Sequence, residues 1–172
     1  MKTLVSHIAR ALVFVLVMVA STQVRANECP TFTHEQDVLI RKAHAIGDYH
    51  DLGYTLAAIV WKESIVGSYI VRINVSDGTM GSFGVGQVLL TTAMELTGET
   101  NTWRAKSHLA KHLINHDVDA LRMSLAYLTK HDHLGYRNMI VKYNGAGPAA
   151  RKYGLDVVSR VRTLQSCLIL DA

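Results

Sequence analysis

The chain has 172 residues, with 18 Lys and Arg against 14 Asp and Glu, nine His and two Cys. Lys2, Arg10 and Arg25 lie in its first 26 positions, so the formal charge of +4 falls to +1 beyond them. No long Lys/Arg run remains there, which argues against a nucleic-acid-binding role resting on a cationic face.

Lys2, His7 and Arg10 precede the apolar run Ala11–Ala20, and Val24–Arg25–Ala26 puts small residues where a signal peptidase reads. Residues 1–26 are therefore predicted to be a cleaved secretory signal, and residues 27–172 one domain, periplasmic or secreted. The run is shorter than the ~20 residues of a membrane-spanning helix, although an uncleaved anchor that recruits flanking residues stays open. Removing 26 of 172 residues leaves 146, enough for one domain with a real core. Cys29 and Cys167 stand near its two ends, and export places them where a disulfide persists. Pairing is expected, with two buried free thiols as the alternative.

The rest predicts a mainly helical, all-α domain. His34–Ile46 carries Val38, Leu39, Ala43 and Ile46 at helical spacing, with Thr33 as cap and Gly47 as stop. Leu52–Ser64 is the second helix, closed by Gly67. Ser68–Gly84 mixes β-branched alternation with turn residues and predicts a loop or a small strand excursion. Val85–Leu96 predicts a helix ended by Gly98. Leu109–Ile114 and the Val118, Leu121, Leu125, Leu128 stripe predict two amphipathic pieces broken near Asn115. Tyr136–Tyr143 is a short helix, Asn144–Pro148 a turn, and Pro148 a first-turn residue of a last helix with Val157, Val161, Leu164 and Leu168 on one face. No internal repeat interrupts the pattern.

The second helix ends on a glutamate. With Leu52 as origin and about 100° per residue, Leu56, Ile59 and Glu63 each fall within about 40° of it, on the apolar stripe. A carboxylate there is costly unless something compensates it. Burial and the negative end of the helix dipole are both expected to raise its pKa, as a general acid needs. The alternative is a half-exposed glutamate whose stem packs while its head reaches water, and the helix alone does not decide.

Further along, Glu63–Ser64, Gly81–Val88 (GSFGVGQV), Leu113–Leu128 and Tyr143–Gly147 (YNGAG) occur in order. In that order and approximate spacing the chain resembles the soluble lytic transglycosylase domain, a lysozyme-like fold related to goose-type lysozymes. The resemblance spans about residues 51–161, with Tyr153–Val161 as a weaker fifth block. It implies a single lysozyme-like domain with a substrate cleft. It further implies cleavage of the β-1,4 bond between N-acetylmuramic acid and N-acetylglucosamine in peptidoglycan, with a 1,6-anhydro product and no cofactor or metal. Glu63 would be the catalytic acid, and Ser64, Gln87, Tyr143 and Asn144 would bind or orient substrate. The tyrosine hydroxyl would lie near the acid. A Ser64 hydroxyl bonded to a backbone carbonyl, a solvated Gln87 and a Tyr143 that merely packs are the plainer readings of the same residues.

The chain also departs from that family. Gly86 stands where a larger apolar residue is common, Lys142 precedes Tyr143, and no proline follows Val88. An inverting hydrolase, the lysozyme alternative, would want a second carboxylate about 6.5–9.5 Å away. Asp77, in the loop after Glu63, is the best placed candidate, although Asp-Gly there also reads as a turn. His108, His112 and His116 repeat at helical spacing and could offer two imidazoles to a metal, whereas solvated histidines are the plainer reading. A non-catalytic peptidoglycan-binding or assembly domain is the third class. Small exported domains of this type accompany secretion, conjugation or pilus machinery, and glycan strands are the expected partner, with no nucleic acid and no stable membrane insertion after signal cleavage.

Overall fold

A computed structural model describes residues 29–73 and 81–168; the predicted signal and Asp77 lie outside them. The described residues hold seven α-helices and one small sheet: α1 (His34–Asp48), α2 (Gly53–Ser64), β1 (Val71–Arg72), β2 (Ser82–Phe83), β3 (Val88–Leu89), α3 (Leu90–Thr97), α4 (Trp103–Asn115), α5 (Asp117–Thr129), α6 (Tyr136–Tyr143) and α7 (Gly147–Cys167). A 3-10 turn, Asp132–Leu134, joins α5 to α6. No described helix is long and apolar enough to cross a membrane.

Helix α1 starts at Thr33, whose hydroxyl accepts from Gln36 N at 3.3 Å while Thr33 N donates to Gln36 Oε1 at 3.0 Å. This reciprocal pair satisfies two of the helix's orphan donors. Gly47 is not the stop expected of it, since the helix runs on to Asp48. A Cβ on Gly47 would meet Leu52 O at 2.7 Å, so glycine permits the tight turn into α2.

Helix α2 is the core. Leu56, Ala57, Ala58, Ile59 and Val60 are all fully buried, because the stretch is apolar on every side and α1, α5 and α7 surround it. On its remaining face Trp61 meets Phe32 edge-on at 5.5 Å and carries the Arg160 guanidinium 4.4 Å from its ring centre.

The expected helix over Val85–Leu96 begins five residues late. Gly84 and Gln87 take φ of +75° and +50°, which a helix cannot accommodate. Val88–Leu89 instead becomes the third strand of an antiparallel sheet in the order β1-β2-β3, with Arg72 opposite Ser82 and Phe83 opposite Val88. Gly98 does end the following helix, at φ +68°. Helix α4 starts earlier than its apolar spacing predicts, because the Thr102 hydroxyl caps it by accepting from Ala105 N at 3.2 Å. Its break from α5 falls at His116, beside Asn115. Pro148 opens α7 as expected, while Leu168 is the residue just past its end.

Cys29 and Cys167 form a disulfide with Cα atoms 5.4 Å apart, bridging 138 positions. It ties the segment before α1 to the last turn of α7.

Candidate active site

Glu63 is the penultimate residue of α2, and a run of left-handed backbone ends the helix just after it. Ile65, Val66 and Gly67 have φ of +50°, +52° and +82°. For two β-branched residues this costs roughly 1–2 kcal/mol each, so the surroundings must enforce it. Ser64 does much of that. It is fully buried, its hydroxyl donates to Val60 O at 3.0 Å and accepts from Gly67 N at 2.8 Å, and its carbonyl accepts from Tyr69 N at 2.9 Å. Both bonding directions of the hydroxyl serve the backbone, as the plainer reading of this residue had it. Its contribution to the glutamate is therefore the shape of the turn.

The chain then runs into the sheet along a fixed path. Gly84 N donates to Ile70 O at 2.8 Å, and Gln87 Nε2 donates to Tyr69 O at 3.2 Å and Gly84 O at 3.1 Å. Gln87 is 7% exposed. Its amide clamps the segment after α2 to the turn before β3, which explains why a residue with φ of +50° is tolerated there.

Tyr143, at the end of α6, donates to Gly86 O at 2.8 Å. Burial pushes its phenol far up, and the Glu63 charge pushes it further. The two groups are thus electrostatic neighbours, but the Tyr143 proton is committed to the backbone. Asn144 caps α6 and is exposed, with its backbone N donating to Val141 O at 3.2 Å. Gly86 faces inward. A Cβ there would collide with Ser124 Oγ and lie 3.1 Å from Ser124 Cβ and 3.2 Å from Tyr143 Oη. The missing side chain would point at α5.

Glu63 keeps part of its surface in water, yet burial is the largest influence on it and raises its pKa above the usual carboxylate range. Tyr153 pulls it back part-way, followed by Arg72 and Lys62. Tyr153 comes from α7 and is 6% exposed, and its hydroxyl makes no hydrogen bond of good geometry, although it is the side chain that most lowers the Glu63 pKa. Burial and the Glu63 charge hold this phenol well above its ordinary value. Lys62 pairs with Asp156, which also pairs with Arg160 at 3.4 Å.

Sequence reasoning passed over two members of this constellation. Tyr153 was visible only as the head of the weak Tyr153–Val161 block. Arg72 left no signal, because its place depends on strand register. The histidine stripe is spread along α4: His108 stacks on His112 at 6.3 Å, and His112 Nε2 lies 2.9 Å from Asp119 Oδ2. Among the described residues no group of three or more His, Cys, Asp or Glu is placed to hold a metal.

No protein-family model, curated protein or solved structure matches the chain.

Proposed function

We propose that this protein is a peptidoglycan lytic transglycosylase with a lysozyme-like cleft, acting in the periplasm or outside the cell. The observation that carries the reading is the state of Glu63. A carboxyl whose pKa is raised by burial, at the mouth of a strained turn and beside two buried phenols, suits a general acid near neutral pH.

One carboxyl can serve both halves of the reaction. Protonated Glu63 gives its proton to the glycosidic oxygen as the bond from C1 of the muramyl residue breaks. The carboxylate left behind takes the proton of the muramyl 6-hydroxyl as that oxygen closes on C1. The 1,6-anhydro ring forms, no water is consumed, and the acid is restored. Burial favours the protonated form of the resting acid, while the Tyr153 phenol, Arg72 and Lys62 favour the charged form and so stabilise the intermediate carboxylate. Local wall opening for a secretion, conjugation or pilus machine is the biological setting we favour.

Digestion of purified peptidoglycan followed by mass spectrometry tests the reading. Anhydromuropeptides, one water lighter than hydrolysed products, are expected from wild type and absent with Glu63→Gln. Reducing muramic ends in their place would assign a muramidase.

A further inference from the structure

We infer that Arg72 is a specificity-determining residue that receives the carboxylate of an unsubstituted muramyl lactyl group, so that the enzyme prefers glycan strands already stripped of peptide. This rests on the transglycosylase reading above.

Three observations lead there. Three cations surround the end of α2, and two of them are spent: Lys62 and Arg160 both pair with Asp156, and Arg160 also lies over Trp61. Arg72 is exposed and, among the described residues, makes no ion pair. It nonetheless stands close enough to Glu63 for its charge to be felt there.

Its position is also fixed rather than incidental. The two residues before β1 are tied down: Tyr69 N donates to Ser64 O at the end of α2, Gly84 N donates to Ile70 O and Gln87 Nε2 donates to Tyr69 O. Arg72 pairs in register with Ser82, and Gly81 leaves room for the Arg72 carbonyl, where any Cβ would collide. A guanidinium with no ion-pair partner among the described residues is thus carried on a braced strand, within range of the acid's charge.

The substrate supplies a matching group. The muramyl residue, which donates C1 to the reaction, carries a lactyl ether on the same ring. In peptide-bearing strands that lactyl group is an amide and neutral. Hydrolysis of the amide adds water across the C–N bond, leaving a carboxylate on the sugar and an amino group on the released peptide. The reaction that must precede this enzyme is therefore an amide hydrolysis at the lactyl group. A guanidinium suits a carboxylate through paired N–H donors and gains little from a neutral amide.

The test uses three soluble substrates: peptide-stripped strands, the same strands with their lactyl carboxyls converted to primary amides, and peptide-bearing strands. KM and kcat are measured for wild type, Arg72→Met and Arg72→Lys at low and high salt. Wild type should show a KM about three- to tenfold lower on stripped than on amidated strands, a difference that high salt compresses. Arg72→Met should remove the difference, and Arg72→Lys should retain part of it. Equal KM values for stripped and amidated strands with wild type would overturn the inference, as would a preference that survives in Arg72→Met. Tightest binding of peptide-bearing strands, lost in Arg72→Met, would move the contact to a stem-peptide carboxylate and overturn the lactyl assignment. Calorimetric binding to Glu63→Gln separates the two levels of the reading. Selective binding of stripped strands with no cleavage by wild type would sink the transglycosylase proposal and leave the Arg72 contact standing.

Discussion

Gly86→Ala tests how tightly the wall beside Tyr143 is built. Gly86 is outside the positive-φ set, so alanine meets no backbone penalty there and the effect is purely steric. The new methyl would overlap Ser124 Oγ and press on Ser124 Cβ at 3.1 Å and Tyr143 Oη at 3.2 Å. All three belong to elements packed in the core, so relief requires α5 or the turn to move. Overpacking of this kind costs about 2–3 kcal/mol, or roughly 5–10 °C in midpoint for a domain of this size. Ser124→Ala alone should be nearly neutral: it loses a bond from the hydroxyl to Ala120 O in the same helix, worth about 1 kcal/mol, and gains helix propensity. The double variant removes the atom that alanine strikes and should recover about 1–2 kcal/mol, a coupling that urea unfolding followed by circular dichroism can measure. A Gly86→Ala protein as stable as wild type, or a double variant no better than the sum of its singles, would refute the close approach of this turn to α5.

Glu63→Gln should abolish turnover without unfolding the protein. The raised pKa means that the folded state favours the protonated acid, so wild-type stability falls as pH climbs from the unfolded carboxyl value of 4.5 through the higher folded value. The variant should lack that fall, and paired urea titrations across pH would show the gap closing in acid. Tyr153→Phe removes a buried hydroxyl without a hydrogen-bond partner and should leave stability unchanged or slightly higher. The phenol lowers the Glu63 pKa, so its loss should carry the alkaline limb of the rate profile to higher pH. Cys29→Ser opens a loop of 138 positions and should cost about 5 kcal/mol in the chain-entropy picture, read from denaturation midpoints under oxidising conditions.

The helices were legible where one residue controls a boundary: Thr33 capping α1, Gly98 ending α3 and Pro148 opening α7. Glu63 stood out because a carboxyl interrupts an apolar stripe. The misreading over Val85–Gln87 has a definite cause, since apolar spacing says nothing about a glutamine forced to positive φ by its own side-chain bonds to Tyr69 and Gly84. The Ser64 bond to a carbonyl one helical turn back was legible as the plainer reading of that residue, whereas the hydroxyl partner of Tyr143 is a carbonyl 57 positions away that only folding brings near. Arg72 is placed by strand pairing with Ser82, ten positions on, a relation that no local pattern encodes.

The disulfide has a consequence for durability. Because it joins residues 29 and 167, the polypeptide between them is a covalent ring. A single proteolytic cut inside that ring leaves one molecule whose halves cannot diffuse apart, and the packing of α2 against α1 and α7 can hold them in place. In a compartment exposed to proteases, this protein can be nicked once and still be counted as whole until a reductant arrives.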